Sequence, residues 1–244
     1  MSSDLVKHRP TKFYLSCIVL ALATGALWAY QGGSDVLYCN DPAQITDAVM
    51  ITNVTVEGKT VNCGLFIKPP AVVQPVMPFQ AGPDWLQTMA ISMINRTNKI
   101  IVAGQITLSF LDTGDCRSAA CATAHIHLGE IPAIDAYNGR TGKPLKNRGS
   151  HPLDWKPDQV LTVHVRDYIN DILTESGLLN YMPVTSVSKV AVHIGAFYFR
   201  DGMKWGGGGA YAIPDPQHPG KFNHLPDNYF PGKRNHNWPP GYDQ

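Results

Sequence analysis

The chain has no excess of charge of either sign. Its 20 Lys and Arg face 19 Asp and Glu for a net charge of +1 at pH 7, which gives no electrostatic reason for nucleic acid as a partner. Familiar catalytic spacings are missing too. There is no HExxH pair, no G-x-S-x-G elbow and no paired CxxC zinc motif. The Gly206–Gly209 run is not followed by Lys-Ser/Thr, so it reads as a joint and not as a phosphate loop. Asp112, Asp115, Glu130 and Asp135 supply carboxylates, but no spacing selects two of them for glycoside cleavage. Helix-length crossovers are scarce as well: one is visible, too few for a doubly wound α/β fold. No catalytic set can be read, and the sequence points to a non-enzymatic protein.

What is present begins with Phe13–Tyr30, a run without charge behind the basic cluster Lys7, His8, Arg9 and Lys12. Such a run is too costly to leave in water, so residues 1–30 read as a signal peptide or a signal-anchor helix inserted in a membrane. The basic flank stays on the cytoplasmic side and sends the remaining chain across. The expected address is therefore the exported side of the cytoplasmic membrane, periplasmic or extracellular. Small residues at Ala21, Ala23, Thr24, Gly25, Ala26 and Ala29 favour cleavage, while the length of the run and the interfacial rings of Trp28 and Tyr30 favour retention. The sequence leaves both standing, anchored or secreted.

The chain has 5 cysteines. With Cys17 inside the apolar run, Cys39, Cys63, Cys116 and Cys121 form an even set. In an oxidising compartment such a set reads as two disulfides. Three pairings are open, and the local one, Cys39–Cys63 with Cys116–Cys121, closes the shortest loops. Oxidation would remove thiol chemistry from the candidate functions.

The expected organisation is residues 1–30 as leader or anchor, 31–70 as a small disulfide-bracketed β-hairpin unit and 71–84 as a Pro-rich linker. A β-sandwich domain at 85–205 and an extended tail at 206–244 complete it. Val49 to Val56 and Thr60 to Ile67 are β-rich runs split by Glu57-Gly58-Lys59, a hairpin signal. Alternating runs follow at 89–94, 100–110, 121–128, 160–165 and 187–199, the last apolar on both sides. One helix interrupts them: Asp167 reads as its cap, Tyr168, Ile169, Ile172 and Leu173 make one apolar face, and Gly177 ends it. Short strands, turn chemistry and little helix predict an all-β fold of sandwich type.

Asn95-Arg-Thr-Asn-Lys-Ile-Ile, Trp155-Lys-Pro-Asp-Gln-Val-Leu and Val190 through Trp205, with its F-x-D-G-x-x-W ending, resemble stretches of uncharacterised exported bacterial proteins. Those proteins carry immunoglobulin-like or fibronectin-III-like sandwiches. The resemblance covers about residues 85–206 and implies an immunoglobulin-like β-sandwich; Asp158 stands where that pattern often has Gly, and no catalytic residues come with it.

Histidine offers the main chemistry. His125 and His127 lie two apart on one strand face, with His164 and His193 on other strands; convergence of three or four would make a copper or zinc site. No cofactor is otherwise implied. The tail, 14 of whose 39 residues are Gly or Pro, cannot bury a core of its own. Yet it carries Tyr211, Phe222, Tyr229, Phe230, Trp238 and Tyr242, read as anchors against the chain's own domain or a protein partner. Trp85, Trp155 and Trp205 suggest a third class, a carbohydrate-binding module, since flat rings stack on sugars. Asn53-Val-Thr55 and Asn95-Arg-Thr97 match glycosylation sequons. The leading expectation is a binding or accessory subunit of a membrane or surface assembly.

Overall fold

The computed structural model describes residues 35–39, 47–65, 78–114, 121–132, 152–206, 210–218, 221–226 and 229–232. Phe13–Tyr30, Cys17, Cys116, Trp238 and Tyr242 lie outside them. Among the described residues no helix is long and apolar enough to cross a membrane.

Among the described residues twelve strands form two sheets. One holds β3 (Lys59–Thr60), β2 (Val49–Val56), β5 (Ala90–Asn95) and β8 (Val160–His164), in that order and antiparallel throughout. The other is built around β9 (Lys189–Phe199). Along one side of β9 runs β6 (Ile101–Phe110), followed outward by β7 (Ala122–Gly129). Its other side is shared. β1 (Val36–Cys39) pairs in parallel with its first half and carries β4 (Gly64–Leu65), again parallel, on its far side, while β10 (Lys204–Gly206), β11 (Ala210–Pro214) and β12 (Phe222–His224) continue antiparallel from its second. This central position explains why Val190, Ala191 and Val192 are all buried although their side chains alternate between faces. A single apolar cluster draws on both sheets, including Val54, Ile91, Met93 and Val163 from one and Ile106, Leu108, Ile126 and Val192 from the other.

The region read as a small separate unit is divided between the two sheets. The β2–β3 hairpin turns at Glu57 and Gly58, both left-handed at φ 52° and 75°, the pair of positive φ values that a two-residue hairpin loop requires. Its second strand is shorter than the predicted run. After Thr60 the chain leaves, and Gly64–Leu65 joins β1 instead. The Cys39–Cys63 disulfide forms as the local pairing predicts, and Cys121 is also disulfide-bonded.

The motifs behind the resemblance do structural work. Asn95 Oδ1 accepts the Thr97 N–H at 3.0 Å and its hydroxyl at 2.8 Å; Nδ2 donates to the carbonyls of Lys99 (2.8 Å) and Trp155 (3.0 Å). Asp158 sits at φ 58°, in the left-handed region where Gly is favoured and Asp tolerated. Asp201-Gly202 makes the β9–β10 turn, with Asp201 ion-paired to Lys99. The predicted helix spans Ile169–Ser176 and ends on left-handed Gly177 (φ 62°). Asp167 is not its cap: it falls within a 3-10 turn, Val165–Tyr168, that precedes the helix.

Candidate functional site

Antiparallel register places side chains of paired residues on one face. Thr107 on β6 pairs with His125 of β7 on one side and His193 of β9 on the other. Gln105, two residues earlier, pairs with His127. The result is a polar patch of three histidines, a threonine and a glutamine on one face of the larger sheet. His164 does not join it. It ends β8 on the other sheet, exposed to solvent.

The His125 imidazole is fixed from below. Its Nδ1 meets Thr107 Oγ1 at 3.0 Å and the Gln105 side-chain amide. The His125 and His127 rings are 6.0 Å apart. The free edge of β7 is covered by the Ile169–Ser176 helix, which crosses from one sheet to the other. That helix brings Glu175 to the edge, where its Oε2 accepts the His125 backbone N–H at 3.3 Å and stands 4.0 Å from His127 Nε2.

Burial governs the electrostatics. The His127 side chain is 7% exposed and that of Glu175 13%. Desolvation pushes His127 down to about 4, helped by His125 and opposed by Asp171. It pushes Glu175 up to about 7, opposed by the hydrogen bond from His125. Burial also lowers His125 and His193. The low dielectric suppresses charge on both members of the contact, so a neutral imidazole faces a carboxyl that titrates near neutrality. Neither His127 nitrogen nor Glu175 Oε1 has a hydrogen-bond partner among the described residues. The arrangement can hold and exchange a proton, but nearly closed off from solvent. Among the described residues no three His, Cys, Asp or Glu side chains are grouped to hold one metal ion.

The other candidates are distributed differently. Trp85, Trp155 and Trp205 are all buried to 2% exposure or less, and they serve the core and not a sugar platform: Trp85 donates to Val187 O, and Phe197 lies between Trp155 and Trp205. Asp112 is committed to the backbone, accepting the N–H groups of Ser188 and Lys189 at 2.7 Å each. Asn95 is fully buried with its amide in use, so its sequon offers no acceptor, whereas Asn53 is half-buried on β2. In the tail, Tyr211 is buried between Phe199 and Tyr229 at 6.3 and 5.5 Å; Phe222, Tyr229 and Phe230 are half-buried.

Sequence reasoning singled out the histidines but not Thr107, Gln105 or Glu175. The signal for the first two was their alternation as polar positions on an otherwise apolar β6. The signal for Glu175 was its place four residues after Asp171, beside the apolar Ile172 face. No protein-family model, curated protein or solved structure matches the chain.

Proposed function

We propose that the chain is an exported, immunoglobulin-like β-sandwich, held at the outer face of a membrane by Phe13–Tyr30 or released from it, that acts as a non-enzymatic binding or accessory subunit. The observation that carries the reading is the Cys39–Cys63 disulfide. Bonds of this kind persist on the oxidising side of a membrane, the side to which the basic flank of Phe13–Tyr30 directs the chain. Two sheets sharing one core support the sandwich. The non-enzymatic part rests on where the reactive groups lie: Glu175 and His127 are buried, and Asp112 caps a strand. The half-buried Phe222, Tyr229 and Phe230, with Trp238 and Tyr242 beyond them, are the aromatic groups offered to a protein partner.

Thiol trapping in intact cells tests the address. Cys39 and Cys63 should resist alkylation until a reductant is added, and protease supplied from outside should cut the chain once any outer barrier is opened. Free thiols together with full protection from protease would contradict export.

A copper or zinc site is the second reading; His125, His127 and His193 share a face, but among the described residues no three such side chains are grouped to hold one ion, and His164 has no part in it. A carbohydrate-binding module would have to use rings other than the three core tryptophans.

A further inference from the structure

Edge strands expose unpaired N–H and C=O groups, and folded proteins blunt them. Among the described residues nearly every edge is treated in that way. The free side of β7 is covered by the crossover helix, with Glu175 accepting its outward N–H. β3, β4 and β12 are only two, two and three residues long. The part of β2 that β3 leaves open carries a bulge between Ile51 and Asn53, a device that breaks flat pairing. β8 is the exception. It is five residues long, Val-Leu-Thr-Val-His, without Lys, Arg, Asp or Glu and rich in β-branched side chains. It pairs only with β5 among the described residues. Val160 is 53% exposed.

The hydrogen-bond alternation says which groups are free. Gln159 O accepts from Asn95, and Val165 N donates to Met89 O. Odd-numbered residues of this stretch therefore face β5, and the N–H and C=O groups of Val160, Thr162 and His164 point away from it. A groove of about 160 Å³ runs beside them, lined in part by Leu128, Leu153, Leu161, Val163 and Tyr168. Among the described residues the edge is open, and the space beside it is of mixed character, with Thr162, His164 and Asp167 beside the apolar side chains.

We propose that β8 is a self-association edge, pairing antiparallel with β8 of a second copy of this chain about a two-fold axis through Thr162. The sequence is self-complementary in that register. Thr162 meets the partner's Thr162, Val160 meets the partner's His164, and each outward N–H finds an outward carbonyl. Asp158 and Arg166 flank β8 at the same sequence distance from Thr162, both exposed, Arg166 in the 3-10 turn after the strand and 3.6 Å from Asp167, so the end that carries Asp158 lies toward the end of the partner that carries Arg166. No like charges oppose each other. A pairing of this length buries less than the ~1,000 Å² of a permanent dimer, so the association is weak and depends on concentration. The inference stands on the β8 edge and is independent of export or of any accessory role.

The test uses the full chain in mild detergent, followed by sedimentation at rising concentration. Wild type should shift from monomer toward dimer. Thr162→Pro removes an outward N–H, the position where an edge strand tolerates proline, together with the exposed Thr162–Ser92 hydroxyl contact of 2.9 Å, and should stay monomeric with an unchanged far-UV spectrum. Should that variant fail to fold, the charge pair decides. Thr162→Lys and Thr162→Glu should each be monomeric alone and form a mixed dimer when combined, because the axis sets like charges together in one case and opposite charges in the other. A wild type that is monomeric at every concentration would overturn the proposal. So would dimers that survive Thr162→Lys, or a mixture that does not associate.

Discussion

The carboxylate of Glu175 accepts the backbone N–H of His125 and reaches within 4.0 Å of His127 Nε2. One helical side chain thereby closes a sheet edge beside a buried histidine. The two groups respond to pH in opposite directions. His127, lowered from 6.5 to about 4, contributes stability that is present above about 6.5 and is lost as pH falls toward 4. Glu175, raised from 4.5 to about 7, contributes stability that is present below about 4.5 and is lost as pH rises toward 7. Across the shared window the two oppose each other, with His125 and His193 adding to the acid limb. Glu175→Gln keeps an acceptor for His125 and removes the second contribution. Thermal melts across pH should find the variant more stable than wild type above pH 7, by on the order of 2 kcal/mol, and more sensitive to acid between about 6.5 and 4. A loss of stability at neutral pH would mean that the pair is ionised.

Gly104 lies under the Phe197 ring. A β-carbon there would sit 2.1 Å from Phe197 Cδ1, and the ring is held between Trp155 and Trp205 at 5.8 and 6.1 Å. Gly104→Ala should cost roughly 2–3 kcal/mol by overpacking and lower the melting temperature. Gly206→Ala, whose added carbon meets nothing nearer than 4.0 Å, is the control and should leave the core intact.

Asn95 ties three segments together with one side chain. Asn95→Ala leaves the Thr97 N–H and the Trp155 carbonyl without that partner in a buried setting, at about 2–3 kcal/mol. Chemical denaturation should register this as a lower midpoint at constant slope. Peptide mass analysis should find Asn95 unmodified in any host, since its amide is enclosed.

Cys39 and Cys63 are separated by 24 residues. Replacing both with serine should cost about 3 kcal/mol by the loop-entropy account and lower the melting temperature by roughly ten degrees for a chain of this size. Reductant should shift wild type by at least as much, and shift the double variant only by what the remaining disulfide, at Cys121, contributes.

The strands were legible where period-2 alternation ran unbroken, as at 122–129 and 160–164, and the helix was legible from its apolar face and Gly177. Topology was not. Nothing local tells Thr60–Ile67 to stop pairing with β2 and hand Gly64–Leu65 to the other sheet; that choice follows from β1 lying beside β9. The tail looked unable to bury a core of its own, yet Ala210–Pro214 and Phe222–His224 extend an existing sheet and Tyr211 enters its core. In the candidate site the histidine types could be read, but their convergence required strand register. His193 reaches His125 only across Thr107, and His164, equally alternating, belongs to the other sheet. Glu175 carried only its helical spacing from Asp171 as a signal, and its role at the edge follows from the crossover helix lying along β7.

Extraction from membranes in mild detergent, followed by the mass and composition of what is recovered, tests the accessory-subunit reading most directly. The account predicts this chain together with a different protein in fixed ratio, and loss of that protein when residues 222–244 are removed. Recovery of this chain alone, or only with copies of itself, would contradict it.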